Sequence, residues 1–161
     1  MNDALRFIVF LTTCIPATNA CGETLRKVYL DSKRNVHIIN EHGRDTQITN
    51  KGNANLLKLA ANRETVAWLV MNTWTAEGDD GAGSEELIIY HNGNRSSLKC
   101  MPFIRDYWFW MNGSQIAIDC GGRHFAGREI LYDAKTMREI SSFDESKVPL
   151  EKRPCWSDAD N

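Results

Sequence analysis

The sequence predicts an all-β fold built from about two and a half to three blade-like antiparallel sheets, and three observations carry that reading. The chain repeats itself at an offset of 50 residues, with Ile38-Ile39 returning as Ile88-Ile89, and again as Ile130-Leu131 in a last copy that is eight residues short. Each pair is followed ten residues on by another apolar residue (Ile48, Leu98, Ile140), and a turn lies between: Glu41-His42-Gly43, His91-Asn92-Gly93, Asp133-Ala134-Lys135. The segments around these anchors are rich in β-branched and aromatic residues and alternate or run apolar, which suits pleated strands better than helices. A self-repeat of this length marks stacked supersecondary units.

In chain order, the first and truncated copy predicts strands over 25–31, 36–40 and 45–49. The second predicts 55–60, 65–70, 86–91 and 95–99, and the third 104–110, 115–120, 129–133 and 137–142. Thr65-Val66-Ala67-Trp68-Leu69-Val70 and residues 115–119 are near-continuous apolar runs, as expected of strands buried on both faces. Asn92-Gly93 and Asn112-Gly113 read as two-residue hairpins, because Asn and Gly tolerate the positive φ of a type I′ turn. Residues 51–61 carry a competing reading: Asn55-Leu56-Leu57-Lys58-Leu59 has good helical propensity, whereas the offset-50 match favours a strand. In Tyr107-Trp108-Phe109-Trp110, alternation sends Tyr107 and Phe109 to one face and Trp108 and Trp110 to the other. That is the pattern of a strand packed on both sides, which is preferred here over a sugar-stacking platform.

The chain ends point to export. Residues 1–6 carry one Arg, 7–15 are apolar, and Thr18-Asn19-Ala20 offers small residues for cleavage, so 1–20 read as a signal peptide and 21–161 as one domain. No other stretch is apolar enough to cross a bilayer. Removing the leader takes Cys14 with it and leaves Cys21, Cys100, Cys120 and Cys155, an even set expected to form two disulfides in an oxidising compartment. Cys100–Cys120 flanks one hairpin; Cys21–Cys155 would tie the ends together. A lipid anchor on Cys21 is the rival use of that residue, though Thr18-Asn19-Ala20 lacks the Leu that usually opens a lipoprotein signal. The expected location is periplasmic or secreted. The net charge of −2, without clustered Lys or Arg, argues against a nucleic-acid partner.

The stretch from Phe109 to Ile140, with Asn112-Gly113, Ile116-Ala117 and Tyr132-Asp133-Ala134-Lys135-Thr136, resembles the blade pattern of the translocation protein TolB and related WD40-like β-propellers. Asn112-Gly113 stands for the Asp-Gly turn of that pattern, and Met137 replaces its final Gly. The likeness spans about 90 residues over two copies and implies architecture, not a reaction. Propellers close with four or more blades, roughly 200 residues at this period, so about 141 residues imply an incomplete β-propeller. Its open edges would be covered by the chain ends, an oligomer or a partner. The strand order from Ala60 to Ser142 is also similar, more loosely, to periplasmic immunity proteins that neutralise type VI-secreted cell-wall amidases. That resemblance implies a loop between the second and third strands of a blade entering a toxin's catalytic groove, here residues 121–127. Its serines are replaced here by Arg123 and His124.

The two full copies differ most at one equivalent loop. In the second copy it holds Glu77, Asp79, Asp80 and Glu85 with three glycines and no basic residue, a composition suited to a basic partner. The acidic spacing is not that of a calcium loop. In the third copy it is Gly-flanked and carries Arg123, His124 and Phe125, hydrogen-bonding groups beside an aromatic anchor. Cys120 near His124 could suggest a thiol and its base, but a disulfide explains Cys120 better. His37, His42 and His91 lack metal-ligand spacing, and no G-x-S-x-G, H-E-x-x-H or P-loop occurs. No catalytic residue, metal or cofactor is therefore assigned. The expected function is a non-enzymatic exported protein-binding module, in its sharper form an immunity or inhibitor protein that blocks a secreted cell-wall hydrolase with a loop. The alternatives are an envelope assembly module and a carbohydrate binder.

Overall fold

The computed structural model describes residues 23–71, 84–122 and 126–157, and in them every regular element beyond short 3-10 turns is a strand. The strands are β1 (Leu25–Leu30), β2 (Val36–Asn40), β3 (Asp45–Gln47), β4 (Ala54–Leu59), β5 (Thr65–Val70), β6 (Ser84–His91), β7 (Asn94–Trp110), β8 (Gln115–Cys120), β9 (Arg128–Asp133) and β10 (Glu139–Asp144). All pairings are antiparallel. β1-β2-β3 form one sheet, and β4 to β10 form a second, in which each strand pairs with its neighbours in chain order. The expected strands fall within one or two residues of these, and 54–59 is strand, not helix. β4 is bulged: its register slips between Asn55 and Lys58, with Leu56 at φ 47°.

Two expectations are corrected. The strands expected at 95–99 and 104–110 are one 17-residue strand, so the two full repeats are a single seven-stranded sheet rather than separate sheets. The strand turns a corner at residues 100–103, where the pairing of Glu86 with Lys99 gives way to Ser84 with Ile104, and Ile104 in turn pairs with Cys120. Pro102 donates no ladder hydrogen bond and so suits this break. The second correction is the Asn112-Gly113 turn. Trp110 pairs with Gln115, leaving a four-residue loop in which Met111, Asn112 and Gly113 all have positive φ. A Cβ on Gly113 would lie 2.6 Å from the Ala60 Cβ, so glycine is what lets this turn dock on the preceding repeat. Asn92 and Gly93, at φ 49° and 81°, do close the expected two-residue hairpin.

Alternation along the strands sorts the apolar residues into three packed layers. Val66 and Trp68 of β5, with Ile88 and Tyr90 of β6, meet Leu25, Val36 and Ile38 of the three-stranded sheet. Their neighbours Ala67, Leu69, Leu87 and Ile89 face the other way, against Tyr107, Ile116, Ile118 and Ile130 from beyond the corner. The third layer holds Trp108, Ala117 and Leu131 with Trp156, so the chain after β10 folds back over the last face of the sheet. The period-two pattern thus places the inner strands β5 to β9 between two cores. The seam between them is pinned by Tyr107, whose hydroxyl lies 2.5 Å from the Leu56 carbonyl and 2.6 Å from that of Ala67. Burial holds its phenol well above the usual pKa. Lys58 adds a 2.9 Å ion pair to Asp106 and sits over the Tyr107 ring. Tyr107→Phe removes the hydroxyl without emptying the core and should cost about 1–2 kcal/mol, read from urea denaturation midpoints at unchanged slope.

Candidate functional site

The connections segregate by length to the two ends of the sheets. At one end lie the tight turns, tied across repeats by the Leu25 N–H to the Arg63 carbonyl (2.7 Å) and the Ala134 N–H to the Ser114 carbonyl (3.0 Å). At the other lie the β5–β6 and β8–β9 connections, the β7 corner and the start of the C-terminal segment. Here the Met71 N–H bonds to the Asn53 carbonyl (2.8 Å), Gly121 to Phe103 (3.1 Å) and Glu145 to Gly127 (3.0 Å). Both loops singled out by the sequence therefore rise from one end, on a base made of strand termini.

Of the sequence-predicted partner-binding residues, Glu77, Asp79, Asp80, Arg123, His124 and Phe125 lie outside the described residues. Glu85 is exposed on the first turn of β6, next to the β5–β6 connection. Cys100 and Cys120 are joined in a disulfide across the β7 corner, as expected, with Cα atoms 5.8 Å apart. Cys155 is exposed and has no disulfide partner among the described residues, and its expected partner Cys21 lies outside them.

The base of the β8–β9 loop is built tightly. Gly121 and Gly127 face one another so closely that a Cβ on Gly127 would fall 2.5 Å from the Cys120 carbonyl oxygen and 2.8 Å from Arg105 Nη2. Arg105, on β7, reaches beneath them. Its Nε donates to Asp119 at 2.9 Å, and its Nη2 donates to Asp119 (2.5 Å) and Glu145 (2.6 Å). Glu145 also accepts the Gly127 N–H at 2.5 Å, so one carboxylate ties together the loop base, the β7 arginine and the start of the C-terminal segment. Burial pushes the Asp119 carboxyl up, against the pull of Arg105. Burial works the same way on Glu145, but the Gly127 N–H and Arg105 outweigh it and hold its carboxyl below the ordinary range. Sequence reasoning missed Arg105, Asp119 and Glu145, because the chain separates them and no motif marks the set.

Beside this base the corner exposes apolar surface. Met101 is 79% exposed, Pro102 is exposed and Phe103 half-buried; Met101 and Pro102, with Cys120, Gly121, Ala126 and Lys147, border a shallow depression of about 390 Å³. Met101 and Pro102 thus place exposed apolar surface side by side on a disulfide-braced corner. A second, narrower groove at the junction with the three-stranded sheet has Trp68 as its floor under the Arg95 guanidinium, with Lys51 and Glu86 on its rim.

The histidines are structural in their surroundings. His37 stacks on Tyr29 with ring centroids 4.8 Å apart and is bonded through Nδ1 to Asp45 at 3.0 Å. His91 lies 3.0 Å from Thr65 Oγ1 at the tight-turn end, but Thr65 is only 2% exposed, and the other ring nitrogen of His91 faces the Asn92 amide at 3.0 Å. His42 is exposed in its turn. Among the described residues no group of His, Cys, Asp and Glu is arranged to hold a metal ion. Trp108 is 6% exposed, and its indole N–H donates to the Trp156 carbonyl at 2.6 Å, so it belongs to the core, with Phe109 and Trp110 half-buried against it. No helix among the described residues is long and apolar enough to cross a membrane.

No family model matches the chain, and no curated protein matches it. Among solved structures it is similar to the β-propeller domain of the Trilobed protease from Pyrococcus furiosus, at 16% identity and a TM-score of 0.48, over 73% of this chain and 37% of that one.

Proposed function

We propose that the protein is a non-enzymatic, exported binding module that engages another protein with the loop end of an incomplete β-propeller. The observation that carries this is the β7 corner: exposed Met101 and Pro102, held by Cys100–Cys120 beside a glycine-clamped loop base, form a braced apolar tip of the kind interfaces use as an anchor. A rigid scaffold carrying variable loops at one end is a common way of building a binding surface. The disulfide fits an oxidising compartment such as the periplasm. The sharper form of the reading is an inhibitor or immunity protein that places residues 121–127 in the groove of a secreted cell-wall hydrolase, with the acidic 77–86 loop meeting basic surface on the same enzyme.

The test is binding to the product of a hydrolase gene adjacent to this one, and inhibition of that enzyme on purified cell wall. Met101→Glu, and separately a Gly-Ser replacement of residues 122–126, should each weaken binding tenfold or more, on the order of 1.4 kcal/mol, with the melting temperature kept. If both variants bind as the parent does, the loop end is not the interface. Binding without inhibition would refute the inhibitor form and favour the envelope assembly role.

A further inference from the structure

The last sheet face carries a carboxylate that neither the fold nor the proposed binding surface explains. Glu129 lies on β9 with Leu131, on the side that packs against the C-terminal segment. Its side chain is 5% exposed, yet Oε2 has no hydrogen-bond partner among the described residues, a costly arrangement for a buried carboxylate. The segment that buries it, residues 145–157, has two short 3-10 turns, Leu150–Lys152 and Cys155–Ser157, and no strand pairing. Beyond the bonds of Glu145 and Lys147 at its start, three attachments hold it. The Trp108 indole N–H bonds to the Trp156 carbonyl at 2.6 Å; Phe143 packs on Trp156 at 5.6 Å between ring centroids; and Arg153 approaches Glu129 Oε1 at 3.4 Å while its guanidinium covers the Phe143 ring.

We propose that Glu129 is a proton-operated latch: protonated, it lets the C-terminal strap close over the Trp108–Leu131 face, and ionised, it loosens the strap. The charged groups around Glu129 account for the direction. From the strap come Arg153 and the Ser157 side chain, both of which favour the anion. From β8 comes Asp119, and from the strap's start Glu145, both repelling it; Arg105 is already committed to those two. Burial is the largest influence and pushes the Glu129 carboxyl up to about 7. With the strap lifted, the same carboxyl would face water near its ordinary value of 4.5. A pKa raised in the closed state means that closing favours the proton. Strap closure is therefore strongest below about pH 4.5, weakens as the pH rises, and levels off above about 7. Glu145, which begins the strap, bonds to the Gly127 N–H and to Arg105, so the strap starts at the loop base.

The experiment follows exchange of the Trp108 indole N–H and the Ser157 amide by NMR in the intact protein, corrected for intrinsic rates, with the Ile116 amide as reporter of global unfolding. Between pH 5 and pH 8 the strap opening constant should rise on the order of fiftyfold by linkage, while Ile116 keeps its protection. Glu129→Gln, neutral at both pH values, should remove that rise. The Glu129 carboxyl carbon should titrate well above the ordinary glutamate range. A strap opening that does not change with pH, a rise retained in Glu129→Gln, or an ordinary Glu129 titration would each overturn the proposal.

Discussion

Trp156→Ala is expected to lower stability by about 3–5 kcal/mol, the usual range for truncating a buried aromatic. Trp156 is 7% exposed and is the single large side chain that the C-terminal segment contributes to the third core layer. Its loss uncovers Trp108 and Leu131, leaves the Trp108 indole N–H without a positioned carbonyl, and removes the surface against which Phe143 packs. The strap has no strand pairing to hold it once this anchor is gone. The expected readouts are a lower denaturation midpoint, dye binding to exposed apolar surface, and self-association through the uncovered sheet face. Full retention of stability would show that the strap contributes nothing to the core beneath it.

The second large effect concerns the β7 corner. Cys100→Ser with Cys120→Ser opens a loop of sequence separation 20, which on the chain-entropy model costs about 3 kcal/mol, or roughly 10 °C in melting temperature for a domain of this size. The disulfide spans the point at which one strand passes from the first full repeat to the second, and Cys120 opens directly into the Gly121–Gly127 clamp. The double variant should therefore also lose binding at the loop end under conditions where it is still folded. A fall in stability with binding intact would separate the two roles and move the interface away from the corner.

Most of the strands are legible in the sequence because the information is local. The Ile-Ile anchors, the Asn92-Gly93 turn and the Thr65–Val70 run each state a periodicity or a backbone requirement that no distant residue has to complete. The helix reading of residues 51–61 loses to the strand for a nonlocal reason, since β4 supplies Ala54, Leu57 and Leu59 to the layer facing the three-stranded sheet. The Asn112-Gly113 turn shows the limit of local reading. Its dipeptide is right for a tight hairpin, but its loop length is set by docking against Ala60, fifty residues away in the preceding repeat. The acidic and Arg-His-Phe loops stood out by composition, whereas what braces their base did not, because Arg105, Asp119 and Glu145 converge only through the sheet.

The repeat and the alternation determine on their own an all-β chain of antiparallel units, and the cysteine count an expectation of paired cysteines in which Cys100–Cys120 is the favoured pair. Only the tertiary structure decided that the two full repeats share one strand, that the C-terminal segment covers the last face, and that Glu129 is buried beneath it. The physical reason is range: strand periodicity and turn chemistry act over a few residues, while corners, capping segments and buried charge arise where distant parts of the chain compete for the same apolar surface.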